Sequence, residues 1–248
     1  MHLPSSPAPA SIVWQRHAVA FNESACRHCP VRGTSICAAL SEDELLTLQA
    51  MSKTLSFRQR ERIMEEDTPA HFVYNIIAGS VLLSKLLPDG RRQVVGIAIP
   101  GDFLGLSFSA RHAFTATALG DVEVCRYPRL GFETFVDRSK ALLKRLHSTT
   151  GHELGLAQEH MMLLGRRSAE EKLACFLVTL RDRWAQIHGP RLRIDLPMTR
   201  QDIADYLGLT VETVSRNLTK LARHKLIAII PDGVRILDPA GLTRVAGC

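Results

Sequence analysis

The stretch TRQDIADYLGLTVETVSRNLTKL, residues 199–221, decides how the C-terminal part of the chain is read. Ile203, Ala204 and Leu207 recur at helical spacing, which predicts a short amphipathic helix. Gly208 stands where the chain must turn, and Thr210 is a natural N-cap for a second helix. In that second helix Val214, Leu218 and Leu221 fall at i, i+4 and i+7 and face inward. Glu212, Ser215, Arg216 and Thr219 then share the opposite face. A guanidinium pairs bidentately with guanine, and a carboxylate accepts from the amino group of cytosine. Two ordinary packed helices would account for the apolar positions, but not for the short Leu-Gly-Leu connection or the choice of outward residues. The pattern predicts a helix-turn-helix reading DNA bases, with Thr199, Arg200, Thr210 and Thr213 as further DNA-contacting candidates.

The sequel extends this unit. Two apolar runs, residues 226–230 and 234–237, flank Pro231-Asp232-Gly233 and read as a hairpin. A helix-turn-helix followed by a small hairpin is a winged helix. Charge agrees with it. The net charge is +6, and from Arg166 onward 14 Lys and Arg stand against 9 Asp and Glu, an excess of +5. Most of the positive field thus sits where phosphates would be met.

At 248 residues, 46% hydrophobic and 23% charged, the chain has the composition of a globular protein with room for two modest domains. No run reaches the length of a membrane span, and the N-terminus lacks the apolar core of a signal peptide. The opening MHLPSSPAPA belongs to an expected disordered lead over residues 1–24. These features place the protein in the cytoplasm, where thiols stay reduced and six cysteines do not form a disulfide framework.

Three cysteines are clustered as C-x2-C-x7-C: Cys26, Cys29 and Cys37. The segment around them, residues 25–40, has few apolar residues and is a candidate for organisation by a bound metal centre. Three thiolates leave such a centre one ligand short, and Cys125, in the strand-like run VEVCRYP, is the candidate fourth. Soft thiolates select zinc or an iron–sulfur cluster, and spacing does not choose between them. A lone strand cysteine is also commonly a small buried hydrophobe. That reading is preferred for Cys175, while Cys248 is terminal and His28 is expected in a solvated loop.

Residues 72–127 read as short strands, at 73–77, 81–87, 93–99 and 122–127, with Pro88-Asp89-Gly90 as a hairpin turn. Many short strands with regular turns predict a barrel or jelly roll over residues 41–138. A long helix follows at 139–164, within a segment spanning 139–165. On it Leu143, His147, Thr150, Leu154, Ala157, Met161 and Leu164 alternate at spacings of four and three, as a heptad seam does. Gly151 and Gly155 weaken its centre by about 1 kcal/mol each relative to Ala, so a partner helix would add order. A symmetric dimer suits a helix-turn-helix, since two recognition helices then meet successive major grooves. The fold class is α+β: a β-roll, a dimerisation helix and a DNA-binding domain over 166–248.

In this order the pieces resemble the CRP/FNR superfamily of bacterial transcription regulators over nearly all of the chain after Ala25. The DNA helix LGLTVETVSRNL, the run RRSAEEKLACFL and the cysteines are similar to its FNR branch. The resemblance implies that Glu212, Ser215 and Arg216 read TTGAT-type palindromes. It also implies an oxygen-labile 4Fe-4S cluster on Cys26, Cys29, Cys37 and Cys125. With the cluster intact the helices pair, and the homodimer binds double-stranded DNA and contacts RNA polymerase, for which the turn at residues 89–92 is a candidate. Oxygen then loosens the dimer. The best-known family spacing is C-x2-C-x5-C, so two loop residues are extra here. Ala157 stands where family members can carry an acidic residue, which implies that pairing persists in part without the cluster.

Three alternatives compete. A cyclic-nucleotide sensor of the superfamily would carry a Glu just after the Gly105 turn, where Leu106 stands, and its Arg is misplaced at Arg111; no cyclic nucleotide is expected. Regulation by zinc, by thiol redox or by a small effector in the β-roll keeps the same DNA role. An enzyme would need a nucleophile–base pair, a phosphate loop or paired carboxylates, and none is legible.

Overall fold

The apolar alternation over residues 53–128 folds into short antiparallel strands arranged as two four-stranded sheets. The strands are β1 (Lys53–Phe57), β2 (Arg62–Met64), β3 (Phe72–Ala78), β4 (Val81–Leu86), β5 (Arg92–Ala98), β6 (Phe103–Leu104), β7 (Thr115–Ala118) and β8 (Val122–Pro128). This computed structural model describes residues 26–106, 110–165 and 167–247. One sheet runs β1-β8-β3-β6 and the other β2-β7-β4-β5. Leu55, Ile76, Val81, Ala98, Ala116 and Val124, from both sheets, meet in one buried cluster, which closes the sheets into a roll. At the β3–β4 turn Gly79 has φ +82°, and a Cβ there would stand 2.3 Å from the Asp121 carbonyl oxygen, so no other residue fits.

The expected strands at 73–77, 81–87, 93–99 and 122–127 are β3, β4, β5 and β8, each within two residues of the sequence reading. The expected lead over 1–24 and Cys248 lie outside the described residues. The sequence reading did not include β1, β2, β6 and β7, nor the helices α1 (Glu42–Met51) and α2 (Arg129–Arg138) that flank the roll. A capping box between Ser41 and Glu44 starts α1.

The long helix, α3 (Lys140–Leu164), begins at the Ser139 cap, whose hydroxyl accepts from the Leu142 backbone N–H. Its Leu142, Leu146 and Leu163 are buried. Helix α4 (Ala169–His188) opens with a Ser168–Glu171 capping box and ends at Gly189. Then come β9 (Arg193–Asp195), α5 (Arg200–Leu207), α6 (Val211–Arg223), β10 (Ile227–Ile230), β11 (Gly233–Ile236) and α7 (Pro239–Ala246). The wing is a three-stranded sheet, β10-β11-β9, rather than the hairpin alone. Leu173, Leu177, Ile203, Leu207, Val214 and Leu218 of α4, α5 and α6 share one buried cluster with Ile194, Ile227 and Val234 of the wing, continuous with Leu82, Val94 and Ile97 of the roll. The two halves therefore share apolar packing instead of hanging on a linker. Among the described residues no helix is long and apolar enough to cross a membrane.

Candidate nucleic-acid interface and metal centre

Local capping fixes the first of the two helices at residues 199–221. Thr199 and Asp202 form a capping box: the Thr199 N–H donates to Asp202 Oδ2 at 2.8 Å, and the Asp202 N–H to Thr199 Oγ1 at 3.1 Å. Gly208 ends α5 in the left-handed conformation, φ +62°. Thr210 caps α6, accepting from the Thr213 N–H at 3.2 Å. Val214, Leu218 and Leu221 are buried, and Glu212, Ser215, Arg216 and Thr219 are exposed on the other side. The seven residues divide between the faces as their spacing requires.

The exposed face is organised before any ligand arrives. Arg216 Nη2 donates to Thr213 Oγ1 at 3.2 Å, and Thr213 shares a 3.0 Å hydrogen bond with Thr210. Glu212 accepts from its own backbone N–H and from Thr210, and with Arg216 beside it the carboxyl is held below the usual range. It is thus ionised and ready to accept a hydrogen bond. Lys220 Nζ meets Glu170 at 2.5 Å and braces α6 on α4. Arg200 is half-buried at the start of α5, where desolvation lowers its pKa. Among the DNA-contacting candidates it is the one least open to a phosphate.

The second site is built over long range. Ser35 caps a 3-10 turn, Ile36–Ala39, accepting from the Cys37 N–H at 3.2 Å. Cys125 lies on β8 between Thr54 of β1 and Asn75 of β3. Cys37 and Cys125 are buried, and Cys26 and Cys29 half-buried. All four come close enough for charge on one to disturb another. Burial, then the Cys37 and Cys29 charges, pushes the Cys26 thiol up to about 11, against the pull of Arg32. Burial pushes Cys125 up to about 12, with Cys26, Cys29 and Cys37 adding and the Tyr127 hydroxyl opposing. Cys37 is raised by burial and by Cys29, while hydrogen bonds from Ser35 and Tyr127 oppose. Tyr127, which sequence reasoning did not single out, is buried between the two.

As thiolates Cys26, Cys37 and Cys125, each raised by burial, would repel one another and Cys29, so the donor set fits a cationic core that would remove that repulsion. Among the described residues no group of three or more His, Cys, Asp or Glu side chains is arranged to hold a single metal ion. A tetrahedral zinc needs bonds of about 2.3 Å, hence sulfurs within about 4 Å of one another. A polynuclear cluster, in which each thiolate takes its own iron, accepts a wider spread. His28 is exposed, as expected, and Cys175 is buried in α4.

The cysteine segment rests on the long helix. Arg145 Nη2 of α3 donates to the Thr34 carbonyl oxygen at 2.6 Å, and Arg145 Nε is buried with no hydrogen-bond partner among the described residues. Ile36 and Leu40 share a buried cluster with Leu142 and Leu146. Gly101, φ +98°, admits Thr34 so closely that a Cβ would lie 2.9 Å from its Oγ1. Along α3, Leu143, His147, Thr150, Leu154, Ala157 and Met161 are exposed, whereas Leu164 is half-buried against the Gly208 turn.

Residues 171–245 match the Crp-like helix-turn-helix domain, and residues 54–139 the cyclic nucleotide-binding domain. The transcriptional activatory protein AadR of Rhodopseudomonas palustris is 50% identical over 88% of this chain and 92% of its own. The chain belongs to the CRP/FNR family of transcription regulators. The nitrogen fixation regulation protein FixK of Bradyrhizobium diazoefficiens is 46% identical over 89% of this chain and 93% of its own. The solved structure of FixK2 from Bradyrhizobium japonicum superposes with TM-score 0.73 and 36% identity, covering 78% of this chain and 96% of that one. As a CRP/FNR regulator the chain binds DNA through the helix-turn-helix just described. A cleft of about 1620 Å³ between its roll, α3 and α4 is walled by side chains such as Val95, Phe103, Leu106, Phe114 and Phe132. Leu106 follows Gly105 directly, and Arg111 is paired with Asp67 at 2.6 Å on the outside of the roll.

Proposed function

We propose that this CRP/FNR regulator is an oxygen-responsive activator of genes for low-oxygen growth, working in the cytoplasm as a homodimer on palindromic DNA and with RNA polymerase. The observation that carries the reading is that Cys37 of the N-terminal loop and Cys125 of a distant strand lie in one buried cluster with half-buried Cys26 packed against it, and that Cys29 is close enough for its charge to act on all three. Those four residues would hold a 4Fe-4S cluster. When bound, the cluster supplies a compact, oxygen-labile positive core for four thiolates. The relatives named for transcriptional activation and for nitrogen fixation regulation support the same physiology.

The chain's own residues connect the two sites. With the four thiolates tied together, residues 26–40 are pinned to β8, which sets the Thr34 carbonyl on Arg145 and Ile36 and Leu40 on Leu142 and Leu146. That support orders the first turns of α3, whose exposed seam from Leu143 to Met161 then pairs with a second copy. Pairing sets two α6 helices about one helical turn of DNA apart, 34–36 Å, so that each enters a major groove. Untied, the four groups revert to neutral thiols and the support weakens. A modest change in free energy is enough to shift such a two-state helix pair.

The test is a titration of a duplex carrying TTGAT-type half-sites with protein kept free of oxygen, repeated after exposure to air. Tight binding that falls after air is the expected result. Equal affinity before and after, with the cysteines unmodified, would contradict oxygen sensing while leaving the DNA-binding assignment standing.

A further inference from the structure

The hairpin of β4 and β5 reaches across the domain boundary and grips the first helix of the helix-turn-helix. Arg92, at the start of β5, donates from Nε to Asp205 Oδ2 at 3.0 Å and from Nη2 to the same oxygen at 2.7 Å and to Asp202 Oδ1 at 2.5 Å. Both carboxylates are largely enclosed, 11% and 15% exposed, whereas the guanidinium is 37% exposed. The next residue continues the grip: Gln93 Nε2 donates to the Asp205 backbone carbonyl at 2.7 Å. On its other side α5 is met by α3, where the His160 ring stacks on Tyr206 at 4.1 Å and its Nε2 lies 2.8 Å from the Tyr206 carbonyl oxygen. Arg183 of α4 adds hydrogen bonds of 2.6 Å to the Ile97 carbonyl oxygen and to Asp102.

None of these contacts covers the reading face, since Glu212, Ser215, Arg216 and Thr219 stay exposed. The grip therefore orients and does not occlude. Helix α5 passes into α6 through Gly208 and its two flanking leucines, so the direction of α5 fixes that of α6. A planar guanidinium holding two carboxylates constrains angle as well as distance, which a flexible ammonium does not.

We propose that Arg92 is a specificity-determining residue for half-site spacing, a strut from the β-roll that sets the angle at which α6 is presented. This rests on the reading that paired α6 helices enter successive grooves. Each added base pair moves and turns one half-site by about a tenth of a helical turn, which a rigidly held pair of helices must reject. Without the strut, Asp202 and Asp205 are left facing each other one helical turn apart, and α5 loosens from the roll.

The experiment uses the full chain, prepared without oxygen, against duplexes whose two TTGAT half-sites stand at the preferred separation or at one or two base pairs more or less. The wild type should bind one separation best. Arg92→Ala should flatten that preference about five- to tenfold while the mass of the dimer is unchanged. Arg92→Lys, which keeps the charge and the fold but loses the fork, should lie between. Exchanging the partners, R92D with D205R, should restore part of the preference. An Arg92→Ala or Arg92→Lys profile parallel to that of the wild type, even at lower overall affinity, would overturn the strut. A wild type that binds none of the duplexes would overturn the DNA reading itself.

Discussion

On the recognition helix the working side chains are exposed and held by their neighbours, whereas around the cysteine segment Cys37 and Cys125 are buried and Cys26 and Cys29 half-buried. Glu212 and Arg216 sit on one helix face, held by Thr210 and Thr213, and need no ligand to take their positions. Cys26 and Cys125 have thiols raised to about 11 and about 12 by burial and by their neighbours' charge. The difference teaches where control can enter. The reading face of α6 is finished by caps and side-chain contacts within a few residues. On the proposed reading the cysteine end is unfinished without its ligand, and through Arg145 and Leu142 it rests on the helix proposed to pair with a second copy.

Breaking the unfinished end should have the largest effect. Cys125→Ser replaces a soft ligand with a hard, uncharged hydroxyl, so binding to a palindrome without oxygen should be lost while circular dichroism shows a folded protein. Full activity in that variant would mean that Cys125 is only a small buried hydrophobe on β8. At the finished end the effect should be smaller and of a different kind. Arg216→Ala should cost about 1–3 kcal/mol and relax selectivity at one base pair, read by titrating single-base variants of the half-site. Unchanged affinity and preference would remove Arg216 from the reading set. The smallest effect lies between the two ends, on α3. Ala157→Asp sets two carboxylates across the seam and should weaken pairing about tenfold, on the order of 1.4 kcal/mol, measured by sedimentation. An unaltered dimer would show that the exposed stripe of α3 is not the pairing surface. The same measurement on wild type prepared without iron should find partial dimer, because Ala157 brings no repulsion of its own.

The legible parts of the molecule are those whose reasons lie within a few residues. The apolar positions of α5 and α6, the Gly208 turn, the Asp232-Gly233 turn and the split faces of α3 all follow from periodicity and capping. The strands that escaped are short or weakly marked: β6 has two residues, and β7 is the run TATA, whose Ala and Thr alternate with little contrast. They are held by partners far along the chain, which no local pattern records. The cysteine loop is legible as a candidate ligand set, yet the residues it packs on are not. Arg145 reaches Thr34 across 111 positions, and Arg92 reaches Asp205 across 113. Tyr127 reads as an ordinary strand aromatic until the fold places it against Cys37 and Cys125. The turn at residues 89–92 shows the same limit. Its Asp89 and Arg91 pair at the tip, 2.7 Å apart, while the neighbouring Arg92 turns inward to α5.

The central claim is that the unfinished end is completed by a cluster, and composition tests it most directly. Protein purified without oxygen should carry iron and acid-labile sulfide at about four of each per chain, the complement of a four-cysteine cubane. Zinc without sulfide, or neither metal, in protein that still binds the palindrome would leave a DNA-binding regulator whose signal is something other than oxygen at an iron–sulfur centre.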